Sequence, residues 1–185
     1  MDAITLLKND HKTVAKLFRD FERLGPRAFK SKREIVSQIV KELSVHAAIE
    51  EQLFYPVMRE IAPDVEEHVL ESLEEHHVVK WTLSELEDMS PEHERFDAKV
   101  KVLMESVRHH VEEEEKEWFP MVRERVRRKV LGELGDAMEQ AKKRAPTRPH
   151  PRSPDEPPGN VVAGVVASVV DHVREAGKTA LSGRR

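Results

Sequence analysis

The chain has no cysteine and few aromatic residues, and both scarcities narrow the class of protein. With 0 cysteines among 185 residues, structural disulfides, thiolate zinc sites and thiol redox chemistry are excluded. Aromatic residues make up 5 % of the chain and charged residues 36 %, a balance that favours amphipathic helices over β-sheet. The formal net charge of −4 lacks the basic excess of a nucleic-acid-binding surface, so we expect no nucleic-acid partner.

Long apolar runs are also missing. No stretch reaches the ~18 consecutive apolar residues that read as a membrane-spanning helix, and residues 1–12 lack the basic and apolar regions of a secretion signal. These absences predict a cytoplasmic protein without a transmembrane segment. The length of 185 residues suffices for one domain with its own core, plus appendages.

Apolar residues recur at helical spacing in four segments. The stripes run from Leu7 to Phe21, from Ile35 to Val57, from Val69 to Leu86 and from Phe96 to Met121. Short connections between them favour antiparallel neighbours. The predicted fold class is therefore all-α, an antiparallel up-down-up-down four-helix bundle followed by a linker and a short extra helix.

Local signals predict where these helices begin and where they are disturbed. Residues 31–34 have a capping-box pattern for the second helix, and Ser90-Pro91 has the N-cap and first-turn pattern for the fourth. Pro56 and Pro120 each remove one backbone donor, so we expect them to kink or end their helices.

Composition divides the chain into three predicted parts. Residues 1–145 form the bundle, with a further helical stretch at 130–143 that continues it or folds back. Residues 146–160 form a linker that holds six of the eleven prolines. In residues 161–185, valines at helical spacing predict an amphipathic tail that docks on the bundle or contacts a second copy; peripheral membrane attachment is the alternative.

One motif occurs twice. Residues 46–56 and 110–120 both fit His-x3-Glu-Glu-x3-aromatic-Pro. A further histidine precedes each copy, His11 by 35 residues and His76 by 34 residues. The repeat predicts two helical hairpins, each contributing one lone histidine and one histidine–glutamate pair.

The repeated polar residues lie on stripes that helical periodicity assigns to the core. A buried ionised carboxylate costs several kcal/mol unless it is paired, hydrogen-bonded or bound to a metal. A single buried histidine is more often a hydrogen-bonded core residue, but the duplication of the whole pattern favours metal binding. The predicted metal ligands are His11, His46, Glu50, His76, His110 and Glu114.

The donor types indicate which metal is bound. Imidazole and carboxylate without sulfur favour iron or manganese, and each His-x3-Glu pair presents nitrogen and oxygen on one helix face. Glu50 and Glu114 could then bridge a pair of iron ions that the histidines cap. A zinc hydrolase site is the alternative on ligand type alone, although it would not need two symmetric halves.

Neighbouring residues are assigned by the alignment of the two repeats. His76 is preferred over His77, His110 over His109 and Glu114 over Glu115. Glu117 is expected on a solvated helix face and Tyr55 in packing. The histidines without a repeat partner are expected at the surface: His68, His93, His109, His150 and His172.

Over residues 1–125 this pattern resembles the hemerythrin family in its HHE cation-binding branch. Ferritin-like bundles place glutamate before histidine at i+3, the opposite order. The resemblance implies a four-helix bundle that holds two iron ions per chain as an oxo- or hydroxo-bridged centre. It also implies reaction with small molecules, namely hydrogen peroxide, dioxygen or nitric oxide.

The chain departs from the oxygen-carrying members of that family. Those proteins have a fifth histidine one turn from the third-helix ligand, whereas here His76 is flanked by Ser72 and Lys80. They also have an aspartate five residues after the last histidine, where this chain has Glu115. The departure disfavours reversible dioxygen carriage and favours turnover of peroxide.

Three functional hypotheses follow. The first is a di-iron oxidoreductase that decomposes hydrogen peroxide in a catalase-like reaction. The second is a sensor or carrier that binds dioxygen, nitric oxide or iron without turnover, for which the valine-rich tail is the motivation. The third is iron storage or donation, and a metal-free structural bundle is the remaining alternative.

Overall fold

The computed structural model describes residues 1–62 and 65–153, and these ranges contain helices and no strand. The predicted all-α fold class is confirmed. Two π-helical segments, π1 (Glu50–Phe54) and π2 (Glu114–Trp118), each join two α-helices without a break. The α-helices of the described ranges are α1 (Ala3–Glu22), α2 (Phe29–Ile49), α3 (Tyr55–Ile61), α4 (Glu66–Asp88), α5 (Phe96–Glu113), α6 (Phe119–Arg125) and α7 (Arg128–Lys142).

The long helices pack as a four-helix bundle. Its members are α1, the continuous helix α2–π1–α3, α4 and the continuous helix α5–π2–α6. Helix α1 packs against α2, α2 against α4, and α4 against α5. Residues 154–160 of the predicted linker, and the whole predicted tail at 161–185, lie outside the described residues.

Two apolar clusters fill the bundle, and a polar layer separates them. On α1 the first cluster ends at Leu7 and the second begins at Val14, with His11 between them. On α2 the order of the clusters is reversed, with His46 between them. The antiparallel packing therefore brings the polar positions of neighbouring helices to the same level.

Two helices begin elsewhere than their local signals predict. Helix α2 begins at Phe29, ahead of the capping-box pattern, and has no side-chain cap. The buried Lys32 donates to the carbonyl of Pro26 and to Asp97, so a tertiary contact fixes this end. Helix α5 begins at Phe96 rather than at Ser90-Pro91, because residues 90–95 form turns that lead to the buried Phe96 ring.

The two repeated prolines do not end their helices. Pro56 lies in the first turn of α3 and Pro120 in the first turn of α6. Immediately before them, the amide of Tyr55 donates to the carbonyl of Glu50, and the amide of Phe119 to that of Glu114, both at the i→i−5 spacing. A proline has no amide and its ring crowds the preceding turn, so the ladder widens to a π-turn.

Helix α7 folds back onto the bundle and packs against α1, α2 and π1. Its inner face consists of buried apolar side chains of the first cluster, namely Val130, Leu131, Leu134 and Met138. Gly135 lies against the backbone of the N-terminal residues, where a Cβ would be 2.7 Å from the amide nitrogen of Ala3. Among the helices that the structure describes, none combines the length and apolar character needed to cross a bilayer.

Candidate metal centre

The structure brings all six predicted donors into the buried polar layer. The six residues form two groups, and Glu50 belongs to both. Within each group every residue offers one donor atom, and these atoms lie within 4.8 Å of one another. The first group is His11, His46, Glu50 and Glu114, and the second is Glu50, His76 and His110. The arrangement offers two adjacent positions for a cation that share one carboxylate.

The Nε2 atom of each histidine faces a central carboxylate. Oε2 of Glu50 lies 3.1 Å from Nε2 of His46 and 3.5 Å from Nε2 of His76. Oε2 of Glu114 lies 3.2 Å from Nε2 of His11 and 3.6 Å from Nε2 of His110. Each carboxylate thus contacts one lone histidine and the histidine of its own helix.

The two lone histidines bond outward to the glutamates that follow the central carboxylates. Nδ1 of His11 donates to Oε1 of Glu115 at 2.9 Å, and Nδ1 of His76 donates to Oε1 of Glu51 at 3.1 Å. Because an ionised carboxylate only accepts, each proton lies on Nδ1 and leaves the Nε2 lone pair for the centre.

The two paired histidines face acidic residues on the helices of the lone histidines. Nδ1 of His110 donates to Oε2 of Glu75 at 2.7 Å. Oδ2 of Asp10 lies 3.6 Å from Nδ1 of His46, a distance too long for a hydrogen bond. Neither acid is among the residues predicted from the sequence, although each directly precedes a lone histidine and so belongs to the repeat.

Buried atoms without hydrogen-bond partners test whether these residues fit a metal. Both carboxylate oxygens of Glu50 and of Glu114, and the Nε2 atoms of His11 and His46, are buried without such a partner. Unpaired buried donors and acceptors are costly. A cation among them supplies the missing interactions, so the residues fit a metal site. The role of each as a ligand stays a prediction.

The two central carboxyl groups differ in pKa. Burial, reinforced by the charge of Glu114, raises the pKa of Glu50 well above its usual range. Burial also opposes ionisation of Glu114, but the charge of His110 and the contact with His11 outweigh it and lower its pKa to about 2. The side chains by themselves therefore favour one neutral and one ionised carboxyl group in the pair.

Two of the histidines, His46 and His110, also differ in pKa. Burial lowers the pKa of His46 to about 4. For His110, burial is likewise the largest influence, but the negative charges of Glu114 and Glu75 outweigh it and raise the pKa. A neutral imidazole is the form that binds a metal, and the pKa of His46 keeps it neutral at physiological pH.

The residue one turn after His76 forms an ion pair with Glu51, the outer carboxylate that supports His76. Nζ of the buried Lys80 donates to both oxygens of Glu51, at 2.8 and 2.9 Å. Ser72, one turn before His76, is also buried. The two positions one turn from His76, where a fifth imidazole could lie, therefore hold a serine and a lysine that is paired with Glu51.

Tyr55 both packs, as predicted, and reaches the donors. Its ring contacts Phe54 and Trp118, while its hydroxyl lies 3.4 Å from Nε2 of His76. An α-helical wheel places Tyr55 off the stripe of Glu50. The wider turn of π1 shifts the following residues around the helix axis, which the α-helical period could not anticipate.

The remaining histidine and glutamate assignments have mixed outcomes. His109 and Glu117 are exposed, as predicted. His77 is half-buried and accepts from the indole of Trp81. His68, predicted at the surface, is half-buried because its ring stacks on Trp118 with centroids 6.4 Å apart. His172 lies outside the described residues.

Comparisons with known proteins agree with this geometry. The family model of the Hemerythrin HHE cation binding domain matches residues 2–122. An uncharacterised hemerythrin-like protein of Schizosaccharomyces pombe is 30 % identical over 140 residues, or 75 % of this chain and 69 % of that protein. A DNA nickase of Nostoc sp. is 28 % identical over 124 residues; this is 66 % of the chain but only 34 % of the nickase.

A solved structure supports the fold. The crystal structure of a Hemerythrin HHE cation binding domain-containing protein from Mycobacterium kansasii matches with a TM-score of 0.67 at 21 % identity. The match covers 78 % of this chain and 86 % of that one. Taken with the family model, which spans most of the bundle, these findings show that the chain belongs to the hemerythrin HHE cation binding domain family, with buried histidine and glutamate groups that could hold a metal.

Proposed function

We propose that the chain holds two iron ions among its six central donors and decomposes hydrogen peroxide in the cytoplasm. The observation that carries the proposal is the pair of donor groups that share Glu50, because one shared carboxylate suits a dinuclear site. Nitrogen and oxygen donors without sulfur suit iron. Bound iron supplies the change of oxidation state by which two molecules of hydrogen peroxide become one dioxygen and two water molecules.

The protein's own residues prepare the donors for this task. The outer carboxylates hold the protons of His11, His76 and His110 on Nδ1, so that Nε2 faces inward. The charges of Glu50 and Glu114 compensate part of the charge of the cations, which a buried site otherwise leaves uncompensated.

The residues beside His76 support turnover rather than dioxygen carriage. Neither Ser72 nor Lys80 offers an imidazole, and the amine of Lys80 is engaged with Glu51. Each of the two donor groups thus contains two imidazoles, and the residues one turn on either side of His76 add no further one. A donor set without that further imidazole supports turnover of a small oxidant such as peroxide rather than carriage of dioxygen.

The walls of the site favour a small reactant. The ring of Phe119 stacks on that of His11 with centroids 5.9 Å apart, and the ring of Tyr55 lies 5.6 Å from that of His76. All six donors are buried. A centre enclosed by rings suits hydrogen peroxide, dioxygen or nitric oxide better than an organic substrate.

Metal analysis and oxygen evolution test the proposal. The purified protein, loaded anaerobically with ferrous ion, should hold two irons per chain, and added hydrogen peroxide should release dioxygen catalytically without an organic reductant. A single stoichiometric bleach of the absorption spectrum without dioxygen release would contradict the catalase-like activity while leaving the metal centre in place.

Neighbouring histidines provide a matched pair of variants. His110→Ala should lose iron and dioxygen evolution, since it removes a donor and leaves Glu114 buried beside an empty space. His109→Ala should retain both, because the His109 side chain is 66 % exposed. Equal iron content in the two variants would overturn the ligand assignment.

A sensor is the second candidate, and one observation favours it. Helix α7 lies beyond the residues that the family model matches, yet its Lys142 contacts Asp10 beside His46. Helix α7 is thus connected to the candidate metal centre. A change in exposure of α7 between oxidised and reduced protein, without peroxide turnover, would favour this candidate.

A further inference from the structure

Helix α7 is an addition to the bundle that reaches the candidate metal centre. It begins at Arg128, whereas the family model ends at residue 122. Its apolar face is buried against α1, α2 and π1. Its last residue, Lys142, contacts Asp10, which directly precedes the predicted ligand His11.

Lys142 is one step removed from a predicted ligand. Its Nζ donates to Oδ1 of Asp10 at 2.5 Å, and the side chain of Asp10 is only 13 % exposed. The other oxygen of Asp10, Oδ2, faces Nδ1 of His46 at 3.6 Å. Lys142, Asp10 and His46 therefore form a chain of contacts from α7 through α1 to α2.

Unlike the other three predicted histidine ligands, His46 makes no hydrogen bond through its Nδ1 atom. The other three close on their carboxylates at 2.7–3.1 Å. Oδ2 of Asp10 and Nδ1 of His46 are both buried, face each other and have no hydrogen-bond partner. The position of Asp10 consequently decides whether this histidine gains the partner that the others have.

We propose that Lys142 is a positioning residue for the metal centre: it holds Asp10 against His46, so that docking of α7 strengthens metal binding and metal binding strengthens docking of α7. The inference rests on the proposed metal centre. Lys142 compensates the charge of Asp10 and fixes its carboxylate. An outer carboxylate that orients a ligating histidine typically changes metal affinity by about 10–100-fold when it is lost.

Reciprocity is a thermodynamic requirement. If docked α7 raises the affinity for the metal, the metal must stabilise docked α7 by the same factor. A role of Lys142 in folding alone would not produce this coupling. The coupling is therefore the measurement that separates a positioning residue from a structural one.

Two independent perturbations of α7 are available with matched controls. Lys142→Met removes the ion pair to Asp10 and Lys142→Arg preserves it. Lys143→Met changes the adjacent residue, whose amine donates to Gln140 of α7. Gly135→Ala forces α7 away from the backbone of Met1 and Ala3. Gly132→Ala adds a Cβ that meets no described atom within 4 Å beyond the adjoining backbone of α7.

The experiment uses the full chain and ferrous ion. Iron affinity is measured by anaerobic competition with a chromogenic chelator, and docking by hydrogen–deuterium exchange of the α7 amides with and without iron. We expect Lys142→Met and Gly135→Ala to weaken iron binding about tenfold and to lose most of the iron-dependent protection of α7. Lys142→Arg, Lys143→Met and Gly132→Ala should behave like the wild type.

The outcomes separate this inference from the function on which it rests. A wild-type chain that takes up no iron would overturn both. A wild-type chain that binds two irons while Lys142→Met binds them equally well, with equal protection of α7, would overturn only the role of Lys142. Loss of iron binding in Gly135→Ala alone would show that α7 acts by packing and not through its lysine.

Discussion

The outer carboxylates of the two lone histidines come from the same motif but differ in their surroundings. We call the side with Glu51 and His76 one half of the centre, and the side with Glu115 and His11 the other half. In one half, Glu51 supports His76 and pairs with Lys80; in the other, Glu115 supports His11 and pairs with Lys8 at 3.5 Å. The side chain of Glu51 is 6 % exposed and that of Glu115 is 32 % exposed. The same outer carboxylate is thus sealed in one half and open to water in the other.

The surroundings of π1 and π2 explain this difference in the exposure of the two carboxylates. Of the five residues of π1, four are buried, whereas π2 buries only Glu114 and Trp118. Helix α7 packs against π1, and Lys80 of α4 reaches in to Glu51. In π2, Lys116 and Glu117 remain exposed. A repeated motif therefore fixes which donors are present, while its neighbours fix the dielectric around them.

The largest predicted effect concerns the sealed ion pair. Lys80→Met should lower the free energy of unfolding by about 3–5 kcal/mol, because it leaves the charge of Glu51 buried without its partner. Lys8→Met should change it by less than about 1 kcal/mol, since Lys8 and Glu115 are screened by water. Denaturant unfolding of both variants in the presence of a chelator makes the measurement. Equal losses would contradict the distinction between a sealed and an open half.

A smaller effect concerns metal affinity. Glu51→Gln should weaken iron binding by about tenfold or more, because no water can replace its charge beside His76. Glu115→Gln should weaken it less, since solvent reaches that side of His11. Competition with a chelator gives the ratio of the two affinities. A ratio of one, or a reversed ratio, would show that burial of the outer carboxylate does not matter for the metal.

The smallest effect concerns how the open half is held in place. Asp2 caps α1 by accepting from the amide of Thr5 at 2.9 Å and also contacts Arg123 of α6. Asp2→Ala should cost about 1 kcal/mol of unfolding free energy, as loss of an N-cap typically does. The largest influence on the pKa of Asp2, burial, raises it, but the bonds from Thr5 and Arg123 lower it overall.

The sign of the pH dependence follows from this lowered pKa. The folded protein binds a proton to Asp2 less readily than the unfolded chain does. The contribution of Asp2 to stability is therefore full above the ordinary pKa of 3.8, and it is lost as the pH falls through the pKa of Asp2 in the folded protein. The difference in stability between wild type and Asp2→Ala should therefore be constant near neutral pH and shrink in acid. A difference that grows in acid would contradict the assignment.

Much of the centre could be predicted from the sequence because two periods coincide there. The 3.6-residue period assigns His46 and Glu50 to one helix face, and the repeat places His110 and Glu114 in the same relation. The structure brings them together with the lone histidines. Asp10 and Glu75 escaped notice because a single acidic residue on a chain that is 36 % charged gives no signal by itself.

Other features depend on contacts that no local pattern contains. The capping-box pattern at residues 31–34 is not used, because the buried Lys32 fixes an earlier start of α2. The approach of Tyr55 to His76 depends on a π-turn, which shifts the helical phase by about one residue.

The amino-acid sequence determined the helices, the two hairpins and the set of donors, because these follow from periodicity and from the cost of burying charge. Tertiary structure alone decided which outer carboxylate is sealed, since Lys80 reaches Glu51 from a distant part of the chain. It also decided the link from Lys142 to Asp10, which joins residues 132 positions apart. Local pattern specifies which side chains point inward; only packing specifies what surrounds them.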